Sequence, residues 1–231
     1  MDAYQQLITT ISLTMGTAWA AGINLYATIG VLGILGATGN IVLPEQLQVL
    51  QQPMVISAAC LMYLVEFFAD KTPGVDTGWD TIHSFIRIPA GVLLAAGAVG
   101  EVNPAMVIVA GILGGGVSAT THAIKAGSRV LINTSPEPIT NWTASLSEDV
   151  LVIGGLWAAL HYPLAFLAFF VLFILFAIWA LPKIWRGIKV LIAKIAQLFS
   201  REPVAATPAA GGVTPPAPEL PEKGGSSNEL A

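Results

Sequence analysis

Six apolar stretches, separated by short polar segments, dominate this sequence and restrict the folds that it can adopt. Only 10% of the residues are charged and 55% are hydrophobic, whereas a soluble domain carries about 25% charged residues. Because the chain lacks the polar surface that water requires, we expect lipid to solvate much of it. We predict an all-α membrane protein with about six hydrophobic helical segments, at residues 7–37, 54–69, 82–99, 104–132, 149–160 and 163–182.

The six stretches differ in length. A helix needs roughly 20 residues to cross a bilayer, and the segment 163–182 fits this requirement best. The segment 149–160 is short and is followed by Pro163, which breaks a helix. The segments 7–37 and 104–132 are too long for an upright helix and contain glycines near their middles. We predict that each of these two is tilted, kinked, broken or re-entrant.

The order of the segments suggests an internal repeat. Residues 7–99 and 104–182 each contain a long stretch, a polar loop with prolines, and two more helices. Two units of three helices would have opposite orientations in the membrane, as in the inverted repeats of transporters. The alternative is that any protein with six helices divides into two groups of three.

The basic residues predict the orientation of the chain. Lys and Arg lie in alternate loops and after the last apolar stretch, while the loops 38–53 and 100–103 have none. By the positive-inside rule, we predict a multi-pass protein of the bacterial inner (plasma) membrane with both termini cytoplasmic. The residues 183–199 predict a basic amphipathic interfacial helix that holds anionic lipid headgroups at 183–194. The residues 200–231 are rich in Pro, Ala and Gly, and we predict a disordered tail.

Charged residues cluster around the second and third stretches. Glu66 follows an apolar run, where an unpaired carboxylate costs roughly 2.5 kcal/mol or more, so we expect a partner from among Lys71, Lys125 and Arg129. A helix beginning near Asp76 would align four polar side chains on one face. The alternative is that Asp76 and Asp80 only cap that helix. The members of this first cluster are Glu66, Asp70, Lys71, Asp76, Asp80, His83 and Arg87.

Two further polar clusters follow. His122, Lys125 and Arg129 have the spacing of one helix face, although both cations could instead extend to the lipid headgroups. Glu148 and Asp149 precede the fifth stretch, where Ser145 with Glu148 fits a capping box.

Four separate strings of this sequence occur in the same order in a known family. They are EFFADKTPGVD at 66–76, HAIKAGSR at 122–129, NTSPEP at 133–138 and SED at 147–149. On these strings the chain resembles the bacterial and plastid family called domain of unknown function 4126, over roughly residues 10–180. The resemblance implies a membrane protein of several helices with no established activity, and therefore no catalytic residue to carry over.

Three classes of function agree with these patterns. We favour a transporter or channel for a small polar or anionic solute, because cations accompany helices interrupted by glycine. The alternatives are a non-catalytic membrane assembly or interaction protein and, third, an enzyme acting on a lipid headgroup with a metal held by Asp76, Asp80 and His83. The candidate solute or ion site comprises Asn24, Glu66, Asp70, Lys71, Asp76, Asp80, His83, Arg87, His122, Lys125, Arg129, Glu148 and Asp149.

The sequence favours a protein that is not an enzyme. It contains no nucleotide, nucleophile or metallohydrolase motif, so we expect no cofactor and no resident metal. The net charge of -4 argues against a nucleic-acid partner. We expect the lipid bilayer as the main partner, and self-association of the chain is left open.

Overall fold

The computed structural model describes residues 3–134 and 138–199. These residues form helices and no strand, which confirms the all-α fold. The first two α-helices are α1 (Ala3–Ile23) and α2 (Leu25–Ala37), and a 3₁₀ helix follows at Glu45–Gln51. The others are α3 (Pro53–Ala69), α4 (Val75–Ala98), α5 (Pro104–Ile132), α6 (Pro138–His161) and α7 (Pro163–Phe199).

Within the described residues, four helices, α4 to α7, are long and apolar enough to cross a membrane. The number is five if the 3₁₀ helix and α3, which are bent by 68° relative to each other, count as one span. The membrane character is therefore confirmed, but the six stretches are not six equivalent spans. The first stretch is divided into α1, which contains many Gln, Thr and Ser residues, and α2, whose 13 residues are too few to cross.

The division of the first stretch occurs at Asn24. This residue has an extended backbone, with φ -144° and ψ 99°, and its side chain accepts a hydrogen bond from the Ala27 N–H. Asn24 is therefore the N-cap of α2, as its short polar side chain favours. The location of this break agrees with the Gly22-Ile23-Asn24 sequence.

Of the alternatives predicted for 104–132, a break is not observed, and that alternative is wrong. The helix α5 continues through Gly114, Gly115 and Gly116. Gly114 and Gly115 lie against Ala95 and Val92 of α4, so they allow two helices to approach closely. The inverted relation between 7–99 and 104–182 stays a prediction.

The helices α6 and α7 both differ from their predicted extents. α6 begins at Pro138 rather than near residue 149. The first turns of α6 carry polar side chains that face other helices, and their low hydropathy hid this part of the helix from the sequence analysis. A break separates α6 from α7 at Tyr162, as the following proline predicts. α7 continues through Pro182 to Phe199, so residues 183–199 are not a separate helix.

Several predictions about the ends and the orientation of the chain remain. The predicted disordered tail, 200–231, lies outside the described residues. The binding of anionic headgroups at 183–194, the inner membrane and the cytoplasmic termini stay predictions.

The helix α1 is the central element of the bundle. It packs against α4, α5 and α6, and Ala18, Ala20 and Ala21 are wholly buried. Trp19 lies edge-on to Phe166 and Phe169 of α7, with ring centroids 6.1 and 5.3 Å away. This apolar packing fixes α1 in the centre, and the polar side chains of α3 to α6 meet beside its C-terminal end, at Asn24.

Candidate functional site

Lys125 of α5 lies at the centre of the polar site. Its Nζ is within 4.0 Å of carboxylates from three other helices and the turn after α3, and its side chain is only 2% exposed. The distances are 2.6 Å to Asp70, 3.4 Å to Glu66, 3.5 Å to Glu148 and 3.8 Å to Asp80. Lys125 therefore does not extend to the lipid headgroups, and the snorkelling alternative is wrong for it.

Arg87 of α4 is the second buried cation. Its guanidinium contacts the Glu66 carboxylate, and its Nη1 donates to Asp80 Oδ1 at 2.7 Å. This pairing confirms that Glu66 is paired inside the bundle. Of the three expected partners only Lys125 lies near Glu66, and Arg87, which we had not considered as a partner, makes the closer contact. Asp80 is thus part of an ion pair and does not cap α4.

His122 has a fixed protonation pattern because of this arginine. Arg87 Nη1 lies 3.1 Å from His122 Nδ1, and a guanidinium can only donate. Nδ1 must therefore accept, and Nε2 carries the proton and donates to Ser84 Oγ at 2.7 Å. The ring is neutral and links α5 to Arg87 and Ser84 of α4.

His83 has the opposite arrangement. Its Nδ1 lies 2.8 Å from the carbonyl oxygen of Trp79, which can only accept, so Nδ1 is the donor. In the neutral ring, Nε2 then accepts from the Tyr26 hydroxyl at 3.1 Å. His83 belongs to this separate pair and makes no ion pair with the described part of the chain.

Arg129 of α5 connects α3 with α6. Its Nη2 donates to Glu148 at 2.8 Å, and its Nη1 donates to Asn141 Oδ1 at 2.9 Å and to the Asp70 carbonyl at 3.2 Å. The side chain is fully buried. As with Lys125, the snorkelling alternative is wrong.

The helix break at Asn24 is part of the same network. Because the Asn24 side chain takes the Ala27 N–H, the Ile23 carbonyl loses the donor that a continuous helix would supply. Lys125 Nζ donates to this carbonyl at 3.1 Å. The amide nitrogen of Asn24 donates to Asp149 Oδ1 at 3.3 Å. One polar residue therefore breaks α1 from α2 and joins the break to α5 and α6.

Lys71 lies in the turn between α3 and α4. Its Nζ donates to Ser145 Oγ at 3.1 Å and to the Phe67 carbonyl at 3.3 Å, and lies 4.0 Å from Asp149 Oδ2. Burial lowers the pKa of the Lys71 ammonium, and the carboxylates of Asp149 and Asp70 oppose this change. Ser145 lies within α6 and faces Lys71, so its predicted capping role is wrong.

Asp76 does stabilise the start of α4, as the capping alternative proposed. Its Oδ1 accepts from the Gly74 N–H at 2.9 Å and the Thr77 N–H at 2.6 Å. The same oxygen accepts from Asn133 Nδ2 at 2.8 Å, and Asn133 Oδ1 accepts from Asn141 at 3.1 Å. A chain of two asparagines therefore links Asp76 to Arg129 and the ion pairs.

Sequence reasoning missed several polar members of the network. Asn141 and Ser145 precede the predicted site residue Glu148 with the spacing i, i+4 and i+7, so the rule applied to Asp76 and Arg87 could have found them. Asn141 was missed, and Ser145 was assigned to a cap, because the apolar stretch was predicted to begin near residue 149. Ser84 lies four residues after Asp80, and Asn133 lies four residues after Arg129, so the same spacing indicates both. Tyr26 has no such signal.

The three residues suggested for a metal do not form one site. Asp76 faces Asn133, Asp80 contacts Arg87, and His83 contacts Tyr26. Within residues 3–134 and 138–199, no group of three or more His, Cys, Asp or Glu side chains is arranged to hold a metal ion. The arrangement therefore gives no support to a metal-dependent lipid enzyme.

The structure brings most of the candidate site residues together in one buried cluster, here called the ion-pair network. Its carboxylates are Glu66, Asp70, Asp80, Glu148 and Asp149, and its cations are Lys71, Arg87, Lys125 and Arg129. Asn24, Asp76 and His122 join it through hydrogen bonds, and His83 does not. Such a network can exchange partners or protons among α3, α4, α5 and α6.

Comparison with known proteins gives one result. No curated protein and no solved structure matches this chain. The family model described as Domain of unknown function (DUF4126) matches residues 11–183, from within α1 to within α7. This match includes every member of the ion-pair network and confirms the resemblance found from the four strings. The chain belongs to the family Domain of unknown function (DUF4126).

Proposed function

We propose that this protein is a transporter for a small polar or anionic solute, and that the ion-pair network is its site. The observation that carries the proposal is the position of Lys125, which contacts four carboxylates at the break between α1 and α2. Charged side chains inside membrane proteins occur mainly along pathways for solutes and ions.

The energetics of burial support a functional role over a purely structural one. A charged residue at the centre of a membrane helix costs roughly 2.5–3.5 kcal/mol on insertion. Replacing buried ion pairs by apolar side chains of similar size is often neutral or stabilising. A scaffold would therefore need none of these nine charged side chains, whereas a solute site needs charge.

The helix break supports movement at the site. Transporters place solutes at discontinuous helices, whose free backbone groups bind ions or substrate. Here the Ile23 carbonyl is held by Lys125 Nζ and the α2 N-terminus by the Asn24 side chain. Because side chains rather than helical hydrogen bonds hold this break, it can change partners when a solute enters.

The burial of the network favours a transporter over an open channel. Eight of its nine charged side chains are at most 8% exposed, and Glu148 is 17% exposed. Side chains that line an open pore would be hydrated. The described conformation therefore corresponds to a closed state of the transport cycle, with Glu148 at the edge of the network.

The test is solute entry into vesicles that contain the purified protein. Vesicles of phosphatidylethanolamine and phosphatidylglycerol are mixed with a hyperosmotic solution of glycerol, glycine, potassium acetate or potassium phosphate. Light scattering follows their reswelling, with valinomycin present to balance charge. We expect the wild type to accelerate entry of at least one solute, and Lys125→Gln to slow it at least about tenfold, a barrier increase of about 1.4 kcal/mol.

The matched control is Lys189→Gln, the same substitution at an exposed position of α7. If Lys125→Gln does not give a single folded species in gel filtration, Glu148→Gln at the network edge replaces it, with the same expected loss. Equal rates for the network variant and the Lys189 variant would contradict the proposal. So would a wild type that admits no solute of the panel faster than vesicles without protein.

A further inference from the structure

The charges of the ion-pair network do not balance. It contains five carboxylates and four cations, so one negative charge is in excess when all are ionised. An uncompensated charge buried away from water is strongly unfavourable, and such a group becomes neutral instead. The network therefore needs one more positive charge, either a proton or a bound cation.

The excess charge can be assigned to one carboxylate by comparing their nearest cations. Four of the five touch Arg87, Lys125 or Arg129 directly, at 2.8 Å or closer. Asp149 is the exception, because Lys71 Nζ lies 4.0 Å away and donates instead to Ser145 and the Phe67 carbonyl. The four carboxylates in direct contact are Glu66, Asp70, Asp80 and Glu148.

The oxygen atoms of Asp149 indicate the same residue independently. Its side chain is 8% exposed, and Oδ2 has no hydrogen-bond partner among the described residues. Oδ1 accepts one hydrogen bond, from the amide of Asn24. Glu66, Asp70, Asp76 and Asp80 each also have an unbonded oxygen. The other oxygen of Glu66, Asp70 and Asp80 contacts a cation. The other oxygen of Asp76 accepts from two backbone N–H groups at the start of α4, where the helix dipole stabilises a negative charge.

We propose that Asp149 is a proton-binding site whose protonation is coupled to solute movement. The coupling rests on the proposed transport function, but the binding of the proton does not. A proton from water bonds to Asp149 Oδ2 and converts the carboxylate to the neutral acid, which balances the network. Its release restores the carboxylate and the excess negative charge.

A proton fits this position better than a metal cation. Hard cations require about six oxygen ligands, and Asn24 presents its amide nitrogen to Asp149 because its oxygen caps α2. Asn24 therefore supplies no oxygen ligand to a metal cation beside Asp149. A proton needs only one carboxylate oxygen, which Asp149 supplies.

The groups that face Asp149 come from every neighbouring element. Lys71 and Asp70 lie in the turn after α3, Lys125 lies on α5, and Glu148 precedes Asp149 on α6. Tyr63 of α3 and Asn24 complete the surroundings. Burial and the nearby Asp70 carboxylate favour the neutral acid, whereas the two lysines and the Asn24 amide favour the carboxylate. Among the described residues, Lys71 is the cation within 4.0 Å of Asp149.

Infrared difference spectroscopy of the purified full-length protein tests the site without any solute. A protonated carboxylic acid has a carbonyl stretching band that a carboxylate lacks. We expect the wild type to show this band at neutral pH and lose it at alkaline pH, and Asp149→Asn to lack it at both. The variant Lys71→Gln should retain the band to a higher pH, because it removes the cation that favours the carboxylate.

The matched control is Glu101→Gln, which removes an exposed acid outside the network and leaves the charge balance of the network unchanged, so it should keep the band. A wild-type band that Asp149→Asn leaves unchanged, or no band at neutral pH, would overturn the proposal. If the wild type has no Asp149-dependent band but admits a solute in the vesicle assay, transport stands and the proton site is refuted. If the Asp149 band is present but no solute enters, the proton site stands and the transport function is refuted.

Discussion

The helices α4 and α5 pack against each other in two different ways along their length. In one half, small residues allow the backbones to approach closely: Gly91 lies beside Ser118 and Gly114 beside Ala95. In the other half, large charged side chains, Arg87 and Lys125 above all, occupy the space between helices. The same two helices therefore use close packing at one end and ion pairs at the other.

The close-packed half of this contact shows that α4 and α5 can pack against each other without charged side chains. Small residues are sufficient to associate helices within a membrane, through van der Waals contacts and lipid entropy. If stability alone had selected this sequence, the small-residue half could continue along the whole contact. The presence of Arg87 and Lys125 instead supports a role for the network beyond packing.

The largest effect is expected from breaking the charged half at Arg87. We predict that Arg87→Leu destabilises the fold by about 3–5 kcal/mol, because it leaves Glu66 and Asp80 buried without their closest cation. Thermal unfolding in detergent, followed by circular dichroism, measures the loss. Adding Glu66→Gln to this variant should recover part of the stability, since it removes one uncompensated charge. An unchanged unfolding temperature in Arg87→Leu would mean that these charges do not interact.

A smaller loss is expected in the close-packed half. We predict that Gly114→Ala destabilises the fold by about 1–3 kcal/mol, because the added methyl would overlap the side chain of Ala95. The matched control is Gly116→Ala, two positions away, where a methyl meets no atom within 4 Å. This control should be neutral or slightly stabilising, because alanine favours helix. Equal unfolding temperatures for the two variants would show that α4 and α5 do not pack as closely as described.

The smallest effect is expected where the two halves meet, at Ser118. Its hydroxyl donates to the Arg87 carbonyl at 2.9 Å, whereas its Cβ lies next to Gly91. We predict that Ser118→Ala costs about 0.5–1.5 kcal/mol, the value of one hydrogen bond. Ser128→Ala provides the comparison, because that hydroxyl bonds only within α5, to the Lys125 carbonyl. In the same detergent assay, the unfolding temperature of Ser118→Ala should be lower than that of Ser128→Ala. The opposite order would contradict the hydrogen bond from Ser118 to Arg87.

Sequence reasoning predicted most of the helices and one of the two breaks. Asn24 breaks a long apolar stretch, and an N-cap residue is a local signal that sequence can show. The glycines at 114–116 also suggested a break, but α5 is continuous there, because Gly114 and Gly115 pack against α4. A glycine can end a helix or allow a close contact, and only the neighbouring helix decides between the two.

The sequence by itself determined the membrane character, the family and the residues that share a helix face. Apolar content fixes the solvent that the chain requires, and the period of 3.6 residues places Lys125 with Arg129 and Asp76 with Asp80. Only the tertiary structure decided the partners: Glu66 pairs with Arg87 rather than Lys71, and Asp149 is left with Lys71 at 4.0 Å. The reason is physical, since periodicity orders side chains within one helix, whereas the packing of whole helices determines which faces meet.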